Sequence, residues 1–319
     1  MRPTLMLLLA LTVIFAGQSV AQSNYPSKPI RLVVGFPPGG SNDVIARVLG
    51  AKLQEVWGQS AVVDNKPGAN SIIATEFVAK APHDGYTLLI NASGMVVNPA
   101  MYASLPYDVL RDFEPISMLV AYPFVLVIHP LVPAQSVNDL IQVAKSNPGK
   151  LNYSAASTAF QLAAELFKQQ AGVDINRIPY KGSAQAINAV LANDVQLTFI
   201  DSLPVVPLIQ SGRLRGLAVT SPTRSSSLPD LPTMTQAGMP EVEIVGWTSL
   251  FAPAGTPRPI VTSLHQQVAR IMQLPDIRAR MTALGGEPVG GTPEELAAIM
   301  KKQISKWIAV ARAANIKAE

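Results

Sequence analysis

The feature that most constrains this chain is an alternation that begins near residue 30. Ile30, Leu32, Val33 and Val34 form a continuous apolar run, as a strand buried on both faces of a parallel sheet requires. From Ser41 the period changes. Val44, Ile45, Val48, Leu49, Leu53, Val56 and Trp57 recur at helical spacing, which marks a helix packed on that sheet. "SAVVDNKPGAN" then reads as a second strand and turn, "SIIATEFVAKA" as a second helix, and "DGYTLLINA" as a turn and third strand. Repetition of this kind restricts the fold to α/β with a parallel sheet.

The plan recurs after the apolar strand "YPFVLVIHP", Tyr122 to Pro130. "SVNDLIQVAKSNPGKLNYSAAS" supplies a helix, a strand and a loop. "TAFQLAAELFKQQAG" reads as a helix, "INRIPYKG" as a strand, "SAQAINAVLAND" as a helix and "VQLTFID" as a strand. Near "EVEIVGWTSLFAPAG" the chain returns to its first half, and the remainder reads as helical. Thr292-Pro293-Glu294-Glu295 has capping-box spacing with proline at the first helical position. The expected architecture is two α/β lobes, each a mostly parallel sheet flanked by helices, joined by two crossing strands. Residues 22–123 with 247–319 are assigned to one lobe and 124–246 to the other.

The first residues read as a leader rather than as part of the fold. Arg2 precedes an apolar run from Leu5 to Ala16, and Ser19-Val20-Ala21 offers the small-x-small pattern of a cleavage site. A cleavable signal peptide over residues 1–21, a mature start at Gln22 and a periplasmic location follow. The apolar run is too short to span ~30 Å of hydrocarbon comfortably. Roughly 300 residues remain, more than one core usually holds, which also favours two lobes. The chain has no cysteine, so disulfides, thiolate catalysis and zinc–sulfur sites are excluded. Lys and Arg are scattered, the longest run being Lys301-Lys302, and a net charge of +4 gives no nucleic-acid surface.

A search for catalytic chemistry ends without a candidate. His83, His129 and His265 lie far apart, and none has the i+4 partner of an HExxH zinc motif. The chain has no G-x-S-x-G elbow, no P-loop and no G-x-G-x-x-G. No cofactor and no metal site is expected. What recurs is a kind of loop. "GFPPGGSND" (Gly35 to Asp43) stiffens the backbone with two prolines, bares it with two glycines and starts a helix on serine. Pro67 to Ser71, Ser154 to Thr158 and Tyr180 to Ser183 likewise place small or hydroxyl residues before helices. Such loops lie beyond the carboxyl ends of strands, where α/β sheets bind ligands, and helix N-termini favour anions.

Five stretches, "YPSKPIRLVVGFPPGGSNDVIAR", "VDNKPGAN", "HDGYTLLIN", "RIPYKGSAQAINAVLANDV" and "WTSLFAPAGTPRPIV", resemble in order the Bug family. Its members are periplasmic solute receptors of tripartite tricarboxylate transporters. The resemblance implies a type II periplasmic-binding-protein fold that closes on a small carboxylate: a di- or tricarboxylate, an acidic amino acid or an aromatic acid. It implies delivery to membrane permease subunits, and a monomer is expected.

Carried onto this chain, the family's loop is Phe36, Pro38, Gly39, Gly40 and Ser41, whose amides are expected to hold one carboxylate. Asp43 is weighed equally as ligand contact and as loop-fixing residue. Ser93 follows the third strand. Ser154, Ala156, Ser157 and Thr158 form the second-lobe loop, Tyr180, Lys181 and Gly182 its neighbour, and Asp201 ends a strand near the hinge. Three departures bear on specificity: Asn70 and Ser71 replace further glycines, Gln161 stands where a histidine is common, and Gly35 where proline or a bulkier residue is usual. A ligand-presenting sensor and an exported enzyme are the competing functions.

Overall fold

The computed structural model describes residues 25–317, so the signal-peptide reading lies outside the described residues. The chain runs β1 (Ile30–Val34), α1 (Ser41–Trp57), β2 (Ala61–Asn65), α2 (Ile72–Ala79), β3 (Thr87–Ala92), α3 (Gly94–Met101) and the long β4 (Phe113–Ile128). It continues through α4 (Val137–Ser146), β5 (Asn152–Ala155), α5 (Thr158–Ala171), β6 (Asn176–Pro179), α6 (Ser183–Leu191), β7 (Leu197–Asp201), α7 (Ser202–Gln210) and β8 (Arg215–Val219). The last elements are β9 (Val245–Pro253), α8 (Arg258–Met272), α9 (Pro275–Ala283), β10 (Glu287–Pro288) and α10 (Pro293–Ala313).

The strands lie in the order β2-β1-β3-β9-β4-β7-β5-β6. β1 pairs in parallel with β2 and β3, and β5 in parallel with β6 and β7. Between these two parallel blocks β4 runs antiparallel to its neighbours and belongs to both. Phe113 to Pro123 pair with β9, whereas Phe124 to Ile128 pair with β7 and Val125 to Ile128 with β8. The return path comes just before β9, where the Ile244 amide donates to the Thr220 carbonyl at 3.0 Å. Two α/β lobes therefore share one strand and meet where these two segments cross.

The crossing is packed rather than loose. Trp247 on β9 is fully buried, and its Nε1 donates to Gln303 Oε1 on α10 at 2.9 Å, which satisfies the one polar atom of the ring. α10 begins with the capping box anticipated from sequence: Thr292 Oγ1 accepts from the Glu295 amide at 3.1 Å, and Glu295 Oε2 accepts from the Thr292 amide at 2.8 Å. Among the described residues no helix is long and apolar enough to cross a membrane.

Four elements escaped the sequence reading: α3, α7, β8 and β10. α3 carries Pro99 and α7 carries Pro207, both inside the helix, so neither shows an uninterrupted helical pattern. The reading of the chain after Gly255 as helical also needs correction at β10. This short strand pairs with β4 through Glu287 opposite Ala121 and Pro288 opposite Val120.

Candidate ligand-binding cleft

The starts of five helices meet in one cavity between the lobes. Gly40 and Ser41 bring α1 to it, Ser93 and Gly94 bring α3, Ser157 brings α5, Ser183 brings α6, and Asp201 is the residue that caps α7. Helix starts carry unpaired amides and partial positive charge, so their convergence favours an anion without any basic side chain. None of the lining residues is Lys, Arg or His. Aromatic walls close the space. Phe124 from β4 meets Phe160 from α5 edge to face, with ring centroids 4.9 Å apart. The cavity measures about 20 Å³, room for one water-sized sphere, so the lobes stand closed on it.

The β1–α1 loop is held from behind. Asp43 is buried, and its Oδ2 accepts from the Gly39 amide at 3.1 Å and from Arg47 Nε at 3.0 Å. Its Oδ1 accepts from Arg47 Nη2 at 2.9 Å and from Asn65 Nδ2 at 3.0 Å, and Asn65 Nδ2 also reaches the Phe36 carbonyl at 3.0 Å. Burial alone would raise the Asp43 carboxyl, but the Arg47, Gly39 and Asn65 donors outweigh it and hold the group below the ordinary carboxylate range. The Gly39 amide, expected to face a ligand, is thus already committed to Asp43. Gly40 and Ser41 line the cavity, whereas Pro38, Gly39 and Asp43 do not.

Closure brings the second lobe against this loop. An added Cβ on Gly182 would lie 2.7 Å from Pro37 Cδ, so only glycine lets the two loops meet. Thr158 Oγ1 donates to Asn98 Oδ1 at 2.8 Å, a buried bond between the start of α5 and α3. Ser183 Oγ donates to Asp201 Oδ1 at 3.0 Å. Asp201 is almost wholly enclosed, and burial raises its carboxyl above the ordinary value, although Ser41 and Ser183 work in the opposite direction. The Ser41 hydroxyl lies near enough to influence Asp201 but is buried without a hydrogen bond of good geometry. On the remaining wall Tyr122 shares a hydrogen bond with Thr248 Oγ1 at 3.1 Å, and Thr248 donates to Asn42 Oδ1 at 2.7 Å. Burial, then the neighbouring Asp201 charge, pushes the Tyr122 hydroxyl far above its usual value, which leaves it neutral.

Other expected residues fall elsewhere. Ser154 is buried behind the cavity, its hydroxyl 3.4 Å from the Ala186 carbonyl, and Ala156 is buried without lining the cavity. Tyr180 and Lys181 border a second space of about 350 Å³ at the mouth of the cleft, with Gly35, Gly68 to Ser71, Gln161 and Arg177. Ser157 lines both spaces. The departure at Gly35 finds its reason there: a Cβ on it would lie 1.8 Å from Ser71 Oγ. Gly35 and Ser71, both singled out in the sequence, are in direct contact.

The sequence reading missed Asn42, Tyr122, Phe124, Phe160 and Ser183 as lining residues. Tyr122 and Phe124 lie two apart on β4, on one face, within a stretch that the sequence marks only as an apolar strand. Among the described residues no three His, Asp or Glu side chains gather as a metal site.

Two α/β lobes closing on a cavity built from helix starts and hydroxyls form the kind of cleft in which solute-binding receptors hold a ligand. The family model of the tripartite tricarboxylate transporter family receptor matches residues 45–316. The chain belongs to that family. The protein BugT of Bordetella pertussis is 37% identical over 302 residues, with 93% of each chain covered. Rpa4515 of R. palustris, solved with adipate, superposes with a TM-score of 0.89 at 37% identity over 92% of this chain and 99% of that one. The periplasmic binding protein BugD gives a TM-score of 0.89 at 33% identity, covering 92% of this chain and all of the other.

Proposed function

We propose that this protein captures a small carboxylate between its lobes in the periplasm and delivers it to the permease subunits of a tripartite tricarboxylate transporter. The observation that carries the reading is the meeting of five helix N-termini in one interlobe cavity with no basic side chain in its lining. Unpaired amides and hydroxyls suit a carboxylate, which accepts several hydrogen bonds, and closure gives donors from both lobes a shared partner. The adipate held by Rpa4515 is a ligand of the same chemistry in a protein of the same fold. The likeness to BugD and the signal-like leader support the periplasm.

The test is thermal unfolding of ligand-free protein against adipate, succinate, malate, citrate, glutamate and benzoate. A ligand at a hundred times its dissociation constant stabilises the native state by ~2.7 kcal/mol, a shift of several degrees for a protein of this size. A shift confined to one group of acids names the cargo class. A flat panel overturns the carboxylate reading.

A further inference from the structure

The cavity contains an acid where an anion is expected. Tyr122 and Asp201 are the only titratable groups in its lining, and no Lys, Arg or His among the described residues pairs with Asp201. Two negative charges enclosed together without a cation repel strongly, and one proton shared between them removes the conflict.

The surroundings of Asp201 offer no other remedy. From α1 the carboxyl is faced by the uncharged Ser41, and the charges near that turn, Asp43 and Arg47, are paired with each other. From α6 it is faced by the uncharged Ser183, with Lys181 exposed outside the cavity. From β4 it is faced by Tyr122, a neutral hydroxyl engaged with Thr248. α7, which Asp201 caps, carries no ionisable residue, and on α5 Glu165 is paired with Lys168. An opening of the cleft that admits water to the carboxyl would leave it ionised at neutral pH, as for any exposed aspartate.

We propose that Asp201 takes up a proton as the cleft closes and donates it in a hydrogen bond to the bound carboxylate, so that ligand capture is coupled to proton uptake. The proton comes from solvent, and no covalent bond forms or breaks. The inference rests on the carboxylate reading above and adds a condition to it: the cargo presents only acceptors to Asp201. A ligand placing an ammonium group there would need the ionised side chain and no proton.

Burial already raises the Asp201 carboxyl in the closed form. The sign follows: the protonated acid belongs to the closed, liganded state, so affinity strengthens as pH falls and weakens as it rises, by up to tenfold per pH unit. The experiment is calorimetric titration of the protein at pH 7 with each acid of the panel, in two buffers of different ionisation enthalpy, which counts protons taken up. About one proton per ligand is expected. Asp201→Asn, a neutral donor of nearly the same shape, should bind at pH 7 at least as tightly as the native protein, since it needs no proton, and take up none. Asp201→Leu should bind at least tenfold more weakly. Binding by the native protein without proton uptake overturns the inference and leaves the receptor reading standing, as does a loss of tenfold or more in Asp201→Asn. Absence of binding to every acid overturns both. Should Asp201→Asn fail to fold, the pH dependence of the native dissociation constant between pH 6 and 8 decides alone: a flat profile overturns the proposal.

Discussion

On the first lobe the β1–α1 loop is braced by one buried carboxylate that gathers the Gly39 amide, Arg47 and Asn65, while Asn65 also holds the Phe36 carbonyl. On the second lobe the β6–α6 turn is held far more lightly. The Lys181 amide reaches Gln185 Oε1 at 3.3 Å, the Tyr180 amide reaches the Ala155 carbonyl at 2.8 Å, and Lys181 itself is exposed. One wall of the cleft is therefore set before a ligand arrives, and the other is placed by closure. The first should respond to mutation through stability, and the second through binding.

The largest effect is expected at the point where the walls touch. Gly182→Val puts side-chain atoms into Pro37 where the two loops meet, and opening the cleft would relieve that contact. Overpacking of that kind costs about 1–3 kcal/mol, so ligand affinity should fall by roughly fivefold to 150-fold. The melting temperature of ligand-free protein should barely move. A melting point that drops while affinity holds would mean that the lightly held turn is a folding element, and the distinction between the walls would break.

Asp43→Ala is the converse change. It strips partners from the Gly39 amide and the Asn65 side chain and should lower stability by about 2 kcal/mol in denaturant unfolding. Arg47 is half exposed and contributes little of that. The Asp43 carboxyl is held below its ordinary value, so its contribution is present above about pH 4 and is lost as the pH falls through the folded value. Native and variant stabilities should therefore converge in acid, which acid titration of the two proteins monitors.

A smaller effect is expected from Gly35→Ala, whose Cβ would collide with Ser71 Oγ. It should destabilise the protein by roughly 1–2 kcal/mol. Ser71→Gly in the same chain removes the obstacle and also frees a residue held at φ 69°, a conformation that glycine accepts readily. The double variant should recover most of the loss. Failure to recover would show that the two departures are unrelated.

These contrasts also show why part of the molecule was legible in sequence. β1 and α1 announced themselves because one is apolar but for the exposed Arg31 and the other is apolar at helical spacing, and each period follows from which faces are buried. α3 and α7 were silent because tertiary packing, not local preference, carries helices that contain proline. For the site, loops rich in glycine and serine marked where helices start, but not which backbone amides would be committed. Gly39 shows the difference: only the folded chain reveals that Asp43, four residues on, already holds its amide. Tyr122 and Phe124 were hidden for a related reason. An alternating apolar strand looks the same whether its inner face meets a core or a cavity.

Lys181 supplies the weakest test of the comparison. Its side chain borders the outer space on the second lobe but not the inner cavity, and it is exposed. An exposed charge acts on an approaching anion at a distance and loses most of its influence through solvent screening. Lys181→Met should therefore change the dissociation constant by no more than about threefold, while slowing association and flattening its dependence on salt. Stopped-flow measurements at low and moderate ionic strength separate these effects. If the dissociation rate rises instead by tenfold or more, Lys181 touches the bound ligand. The second lobe would then bring a charge to the ligand, whereas the inner cavity is lined by no Lys, Arg or His.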